Sequence, residues 1–314
     1  MQYEIFTTQN KNKWVLQLHK FPENLRDVYF TPKFCELSEI NGEGKAECFF
    51  YSEDGFYGMY IYLRKVDEFG NENIRTPYGY GGCIVSKDNP KAIENFENCF
   101  LQYAKKENFK KEFIRFHPLI KNQFIFSKNI KIEQNRDIIY LPLTNIDDIW
   151  KNEISSKNRN MIRKAEKNGL EVRILNENEF HLFKDLYIQR MKNLNTNEFY
   201  YFSDKYFEYL KDLLRFNGVV LGVFYNNKII ASACFFAYGK YFHYHLAGSD
   251  SNYLTLSPNN LLLYKAIQIA CENNYKTFLF GGGKTSDSDD SLYKFKKSFS
   301  NHSEGFYIGE RMHN

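Results

Sequence analysis

The sequence contains no apolar run that approaches the ~20 residues of a membrane-spanning helix, which argues against an integral membrane protein. Residues 1–20 carry charges and no apolar core, so we do not expect them to form a signal peptide. The six cysteines stand singly, without a CxxC pair or metal-type spacing. These absences predict a cytoplasmic protein with reduced thiols, no metal site and no integral membrane contact.

The sequence also lacks a large excess of either positive or negative charge. The net charge of +4 over 314 residues is too small for a general polyanion binder. Hydrophobic residues make up 43% of the chain, enough to build real cores, and this excludes wholesale disorder. The length is comfortable for two domains of about 150 residues each.

A complete phosphate-binding loop is missing as well. Residues 281–285 (GGGKT) resemble one, but Phe278 occupies the position where the pattern requires glycine. The following residues 286–290 are acidic and turn-like, and they would repel a phosphate. A calcium loop fails too, because Ser291 and Leu292 stand where Asp or Asn and then Gly are needed.

The first part of the chain has the pattern of a mixed α/β unit. An Asp54-Gly55 turn between two aromatic-rich segments predicts a β-hairpin. Residues 90–106 carry large apolar side chains at helical spacing, and residues 111–120 predict a strand that stops at Pro118.

The second part follows a strand at 137–143. It begins with a basic helix at 147–168 that ends at Gly169, followed by a short strand and a helix from about residue 177. Three antiparallel strands then span residues 218–248, joined by Asn226-Asn227 and by Gly239-Lys240. A helix with Ser257 as its N-cap leads to a buried strand at 277–280, which must pair by a crossover.

This order of elements is that of the GNAT acyltransferase core. The chain also resembles the Fem-type branch of that superfamily, the tandem-GNAT transferases that add amino acids to cell-wall precursors, and their shorter relatives in polysaccharide loci. The resemblance rests on PYGYGG at 77–82, FIRFHP at 113–118, RNMIRKAEKNGLEV at 159–172, HLAGSDSNYLTLSPNNLLLYKAI at 245–267 and FGGG…SLYKFKKSF at 280–299. We therefore predict an α/β fold with mixed sheets and two GNAT-like domains in tandem, at residues 1–145 and 146–314, the second carrying the acyl-transfer site.

The resemblance implies transfer of an acyl or aminoacyl group to an amine of a cell-wall or surface-polysaccharide precursor. The FKxxF signature of the family falls on Phe295, Lys296 and Phe299, and it assigns to Lys296 the stabilisation of the charge that develops on the attacked carbonyl. The basic helix, with Arg159 and Arg163, corresponds to the region that holds a phosphate-bearing acceptor. A solvated helix face is the alternative explanation of this basic stripe.

The chemistry itself needs the same residue types. Attack of an amine on an ester or thioester forms a tetrahedral oxyanion, which requires a cation or donor in a water-poor cleft. Lys296 fits that need, although a surface lysine with a buried stem would give the same pattern. Tyr293 is a candidate for protonating the leaving group, and His245 or Asp250 for accepting the proton of the amine. Each of them could instead be structural; His243 shares the strand parity of His245.

Further candidate substrate-binding residues are Phe295 and Phe299 of the FKxxF signature, and Tyr78 and Tyr80 in the glycine-rich loop. Asn259 is another, at the start of the helix after Ser257, where free N–H groups could meet a phosphate.

Two family patterns are absent. Tyr80-Gly81-Gly82-Cys83 replaces the usual Arg-Gly-Pro of the Fem enzymes, and residues 255–260 replace the glycine-rich loop that holds the CoA pyrophosphate. The donor is therefore left open between acyl-CoA and aminoacyl-tRNA, and tRNA is a candidate partner. The acceptor is predicted to be a small-molecule or lipid-linked amine. The alternative is a non-catalytic GNAT-like module that binds a nucleotide-sugar or RNA.

Overall fold

A computed structural model of the chain describes residues 2–195, 197–287 and 289–313. Ser288, within the predicted acidic turn, lies outside the described residues. The chain forms two compact units. The first comprises Met1–Arg136 and Glu304–Asn314, and the second comprises Asp137–Ser303.

The first unit is a mixed sheet with the strand order β1-β2-β3-β4-β6-β13, in which β5 also pairs with β3. The pair β4–β6 is parallel, and the other pairings described within the unit are antiparallel. Its strands are β1 (Gln2–Thr7), β2 (Lys45–Glu53), β3 (Phe56–Val66), β4 (Glu72–Arg75), β5 (Gly82–Val85), β6 (Phe109–Arg115) and nearly all of β13 (Ser303–Met312). Its helices are α1 (Lys11–Leu18), α2 (Pro32–Ile40) and α3 (Pro90–Lys106).

Local sequence explains these elements. Asp54 and Gly55 adopt positive φ values of 46° and 75°, so the predicted hairpin between β2 and β3 is confirmed. Helix α3 has the predicted bounds; the Asn89 side chain caps its first turn and Pro90 occupies its start. Its buried residues include Phe96 and Phe100, which pack in an aromatic core.

The second unit has the strand order β7-β12-β11-β10-β9-β8. Strand β7 (Lys131–Pro142) carries the chain out of the first unit and into the second. The other strands are β8 (Glu171–Ile174), β9 (Gly218–Tyr225), β10 (Lys228–Tyr238), β11 (Tyr241–Ser249) and β12 (Thr277–Gly281). The helices are α4 (Ile146–Asp148), α5 (Ser156–Lys167), α6 (Phe180–Asn193), α7 (Asp204–Asn217), α8 (Pro258–Glu272) and α9 (Ser291–Lys297), with a π-helical turn at Ile149–Glu153 between α4 and α5.

The predicted turns of this unit are confirmed at the following positions, whereas one predicted helix is divided into shorter elements. Asn226 and Asn227 join β9 to β10 with φ values of 50° and 61°, and Gly169 ends α5 at φ 76°. The predicted helix 147–168 is interrupted, because the Ser155 side chain accepts from the Asn158 N–H and starts α5 afresh.

The two units repeat one order of elements. In each, a strand and two helices precede an antiparallel meander, and a helix then leads to a strand parallel to the last meander strand. That parallel pair is β4–β6 in the first unit and β11–β12 in the second. The outer edge of the final strand is covered antiparallel by β13 on β6 and by β7 on β12.

Because of these covering strands, the boundary between the units differs from the predicted one at 145/146. Residues 139–142 pair with β12 in the second unit, while 308–312 pair with β6 in the first. The physical reason is that an open sheet edge leaves N–H and C=O groups unpaired, and a strand distant in sequence can pair with them.

Among the residues that the structure describes, no helix is both long enough and apolar enough to cross a bilayer. The six cysteines are free thiols, and no cluster of three or more His, Cys, Asp or Glu residues is placed to hold a metal ion among residues 2–195, 197–287 and 289–313.

Candidate active site

Strands β11 and β12 separate partway along their length. Their parallel ladder covers three residue pairs and ends at His243 and Leu279, although β11 continues to Ser249. Strand β12 instead continues against β7, where Gly281 pairs with Ile139. We call the opening between β11 and β12 beyond this last pair the notch. It lies at the carboxyl end of a parallel strand pair, a common position for ligands in α/β sheets.

Lys296 lies at the notch. Its side chain is only 8% exposed, and its Nζ donates a hydrogen bond of 2.7 Å to the carbonyl oxygen of Gly282, just after β12. Its Nζ also lies 5.7 Å from the ring centroid of Tyr244 on β11. A cation removed from water needs such partners, and the carbonyl dipole and the ring face both favour the charged form. The structure thus holds an ammonium group against both strands that border the notch.

Helix α9 brings Lys296 to this position. The Asp290 carboxylate accepts a 2.8 Å hydrogen bond from the Tyr293 N–H and so caps the helix, and this bond lowers the pKa of Asp290. A Cβ added at Gly283 would lie 2.6 Å from Asp290 Oδ1 and 3.0 Å from Tyr293 Cβ, so only glycine lets the helix approach the strand exit this closely. Tyr293 precedes Lys296 by three residues and therefore shares its helix face.

The two phenylalanines of the FKxxF signature anchor the helix. Phe299 is fully buried, and its ring stacks 5.6 Å from that of Phe280 on β12. Phe295 makes an edge contact of 5.4 Å with Phe299 and is half-buried. Phe299 therefore has a packing role, whereas the substrate contact of the half-buried Phe295 stays a prediction.

His245 and Lys296 belong to opposite faces of the sheet. Tyr244, under Lys296, packs against Phe235, whereas the His245 ring lies 4.4 Å from that of Phe236. Consecutive residues of β10 point to opposite faces, so their two contacts do as well. Burial, helped by the nearby charge of His243, lowers the pKa of His245 to about 3. A histidine that stays neutral in this way is a weak base at physiological pH, which disfavours the predicted catalytic role.

Asp250 has a structural task. Its carboxylate accepts from the Asn252 N–H at 3.0 Å and from Lys228 Nζ at 3.0 Å. The first of these bonds contributes most to holding the pKa of Asp250 below its usual value. The bond from Asn252 caps the turn after β11, and the Lys228 ion pair engages the second carboxylate oxygen.

The two predicted arginines of α5 have different surroundings. Arg159 Nη1 donates to three carbonyl oxygens of the preceding turn, those of Trp150, Lys151 and Ile154, at 3.0, 3.1 and 2.6 Å. This satisfies carbonyls at the end of the π-helical turn, so Arg159 is a structural cap. Arg163 is exposed, and its guanidinium lies 5.3 Å from the Trp150 ring. Only Arg163 retains the exposure that a phosphate contact requires.

The start of α8 confirms the predicted position of Ser257 as N-cap, but its side chain does not cap. Ser257 has φ 61°, and its Oγ contacts Met161 Sδ at 3.4 Å. Asn259 donates to Ser249 Oγ at 3.4 Å, and the neighbouring Asn260 bonds Asn158 at 2.8 Å. These side chains tie α8 to β11 and α5.

Tyr78 and Tyr80 belong to the first unit. Burial, with a contribution from the charge of Asp27, raises the pKa of Tyr80. The Tyr80 ring packs against those of Tyr29 and His117 at 5.2 and 5.6 Å, and the side chain is partly buried, so its substrate contact stays a prediction. Tyr78 is 37% exposed, and the Arg115 guanidinium lies 5.8 Å from its ring centroid.

Sequence reasoning missed Tyr244 and the Gly282 carbonyl, which together position Lys296. A signal for Tyr244 was present: it stands between His243 and His245 on one strand, and alternation places it on the opposite face, toward the core that α8 covers.

The comparisons with known proteins agree with this geometry. Residues 156–297 match the family model "Acetyltransferase (GNAT) domain". FemX has a TM-score of 0.75 with this chain at 16% identity, covering 98% of this chain and 97% of FemX. A C-terminal domain from Agrobacterium fabrum, described as belonging to a putative lysylphosphatidylglycerol synthetase, gives 0.62 at 13% identity, covering 97% of this chain and 91% of its own.

A tandem GNAT protein from the clavulanic acid biosynthesis pathway gives a TM-score of 0.54 at 7% identity, covering 100% of this chain and 99% of its own. The comparison with curated proteins found no significant match. The predicted α/β fold and the resemblance to Fem-type tandem-GNAT proteins are confirmed, and the match to the GNAT domain model lies within the second unit.

Proposed function

We propose that this chain is a cytoplasmic N-acyltransferase that moves an acyl or aminoacyl group onto an amine of a cell-wall or surface-polysaccharide precursor. The observation that carries the proposal is the buried ammonium of Lys296 at the notch of a GNAT-type domain. In this proposal, the carbonyl of the acyl donor lies in the notch.

The reaction forms one bond and breaks another. The amine nitrogen attacks the acyl carbonyl carbon, and the carbonyl oxygen becomes an oxyanion that Lys296 stabilises through its N–H groups. An ammonium has three donors, so the bond to Gly282 does not by itself exhaust them. The oxyanion then collapses, the bond to the leaving group breaks, and the amine proton leaves with that group, giving an amide and the free thiol or hydroxyl.

The state of the candidate bases favours an amine that arrives uncharged. His245 is a weak base, and the Asp250 carboxylate is engaged by Asn252 and Lys228. Tyr293, on the helix face of Lys296, is the candidate to protonate the leaving group, and its phenolate then takes up the proton that the amine gives up, so that one proton passes from amine to leaving group.

Both donor classes remain within the proposal. The GNAT domain match supports acyl-CoA. Similarity in fold to a domain named after lysylphosphatidylglycerol synthesis supports an aminoacyl group and a lipid-linked acceptor. Thermal shifts with acetyl-CoA, longer acyl-CoAs and aminoacyl-tRNA separate them, because a ligand at 100 times its Kd adds about 2.7 kcal/mol of stability.

Lys296→Ala tests the proposal in an assay that uses the donor identified by the thermal shifts. We expect kcat to fall by about 100-fold or more, the scale for losing one oxyanion donor. The matched control is Lys294→Ala, which removes an exposed lysine of the same helix that pairs with Asp289.

Circular dichroism checks that both variants fold. A folded and fully active Lys296→Ala enzyme would contradict the assignment. A wild-type chain that binds an acceptor but neither donor class would favour the non-catalytic binding module instead.

A further inference from the structure

Strand β8 is the outermost strand of the second unit, and its outer edge is open. It ends the strand order β7-β12-β11-β10-β9-β8, and within the described ranges its strand partner is β9 alone. The side chains of Glu171–Ile174 are exposed or half-buried, and that of Ile174 is 58% exposed. Such an edge presents N–H and C=O groups to any strand that can align with it.

The register of β8 on β9 shows which backbone groups face this edge. The Leu175 N–H donates to the carbonyl of Val220, the residue directly opposite, at 2.9 Å. Bonded and unbonded pairs alternate along an antiparallel ladder, so the residues two and four positions before Leu175 also bond β9. The N–H and C=O groups of Val172 and Ile174 therefore point away from β9, toward the open edge.

Two side chains of opposite charge stand on either side of Val172. Glu171 and Arg173 are two residues apart, so they share one face of the strand. The Arg173 guanidinium lies 4.1 Å from the ring centroid of Phe224, the cross-strand partner of Glu171. Its Nη1 pairs with Glu179 at 2.7 Å, and the Arg173 side chain is still 48% exposed. Charges of one sign would keep two such edges apart, whereas these two charges are complementary.

A second copy of β8, antiparallel to the first about a two-fold axis through Val172, matches this edge in both respects. The two Val172 residues exchange backbone bonds, and each Ile174 N–H reaches the Leu170 carbonyl of the other copy. Each Glu171 then lies opposite an Arg173, and directly opposed unlike charges stabilise a strand pair. An axis through Arg173 would instead oppose two like charges. Charge thus selects the first of these two registers.

The other face of β8 offers apolar surface to the same partner. Val172 and Ile174 line a groove between β8 and α8, together with Leu221 and Ile269. An added strand would place its own Leu170, Val172 and Ile174 side chains on this face, beside the exposed Ile174. Burial of this apolar surface stabilises association in addition to the backbone bonds.

We propose that the open edge of β8 pairs with the same edge of a second copy of this chain, which joins two second units into one continuous sheet in a two-fold symmetric dimer. The occupant is a second copy because the short segment Glu171–Ile174 supplies both halves of the charge match. The inference does not depend on the acyl transfer proposed for this unit, because association requires no donor.

Sedimentation-velocity ultracentrifugation of the full chain over the micromolar concentration range tests the dimer. We expect wild type to pass from monomer to dimer as its concentration rises. Glu171→Lys and Arg173→Glu each turn both unlike pairs of the dimer into like pairs, so each should weaken association about tenfold or more. An equimolar mixture of these two variants should restore the dimer, as should the double variant, because both arrangements recover unlike pairs.

The matched control is Glu4→Lys, which reverses an exposed charge on β1, the edge strand of the first unit. It should associate as wild type does. Wild type that stays monomeric throughout, or a folded Glu171→Lys variant that associates as tightly as Glu4→Lys, would overturn the inference.

Amide hydrogen exchange provides a second measurement. Exchange of residues 170–175 should slow as the wild-type concentration rises, and a dimer that leaves this exchange unchanged contradicts pairing through β8. If Arg173→Glu fails to fold because it also loses the Glu179 ion pair, Glu171→Lys and the exchange measurement decide the outcome. Lys296→Ala should dimerise normally, so a failure of the transferase proposal leaves this result interpretable.

Discussion

The two units repeat one order of elements but differ in the segment after the final parallel strand. After β12 the chain forms helix α9, which places Lys296 beside the notch. After β6 it forms a loop in which the Asn122 side chain bonds the backbone of the glycine-rich segment. The comparison indicates that a shared scaffold does not dictate chemistry; the residues added at the carboxyl end of the parallel pair do.

The cores differ in a related way. The second unit has a core dominated by aliphatic side chains with clustered aromatic rings. The first unit buries an ionic cluster in which Arg311 of β13 bonds Glu97 at 3.0 Å and lies 3.6 Å from Glu112. The exposed fraction of the Arg311 side chain is 1%. A strand distant in sequence is thus fixed to the first unit by charge as well as by its ladder.

The largest expected effect comes from breaking this cluster. Arg311→Met leaves Glu97 and Glu112 buried without their cation, and we expect the first unit to lose about 3–5 kcal/mol of stability. The sequence has two tryptophans, and Trp14 lies in the first unit and Trp150 in the second. Urea unfolding followed by Trp14 fluorescence in a Trp150→Phe background therefore reports on the first unit. An unchanged midpoint would contradict the structural role of the cluster.

The pH dependence of the same unit depends on Glu112. Burial would raise the pKa of Glu112, but Arg311 and the hydrogen bonds from His313 and Tyr60 lower it below its usual value. A carboxyl with a lowered folded pKa contributes stability above the unfolded pKa of about 4.3, and that stability is lost as pH falls through the folded value. We expect Arg311→Met to weaken this acid dependence, measured as the urea midpoint from about pH 6 down to about pH 3, a range that includes the unfolded pKa of about 4.3 and the acid side of it.

A smaller effect separates the two arginines of α5 in the second unit. Arg159→Ala removes three hydrogen bonds to the π-helical turn and should cost about 2 kcal/mol. Arg163→Ala removes an exposed ring contact and should cost about 0.5 kcal/mol. Denaturation followed by circular dichroism measures both. Equal costs would mean that Arg159 is no more structural than Arg163.

The smallest expected effect tests the helix that distinguishes the second unit. Asp290→Ala removes the N-cap of α9 and should cost about 1 kcal/mol of local helix stability, with a few-fold lower turnover because Lys296 is held less firmly. The lowered pKa of Asp290 keeps the cap intact above pH ~3.9, and the cap is lost as pH falls through the folded value. Turnover assays with Asp290→Asn, a good neutral cap, as control check this; equal losses in both variants would contradict capping.

Features with local causes were predictable from the sequence. The Asp54-Gly55 and Asn226-Asn227 turns, the bounds of α3 and the end of α5 at Gly169 depend on residues within a few positions of each other. Their backbone preferences act without tertiary contacts, so the pattern alone predicts them. The FKxxF pattern that singles out Lys296 is local too, and the role it assigns to Lys296 stays a prediction.

Features with distant causes needed the fold. The pairing of β13 with β6, the capping role of Arg159, and the neutral state of His245 each depend on groups that lie apart along the chain or on burial. The sequence by itself determined the turns and the helix ends that nearby residues specify, because those preferences are local. Only the tertiary structure decided which charges are buried, paired or open to a ligand, because burial and distance are properties of the packed chain.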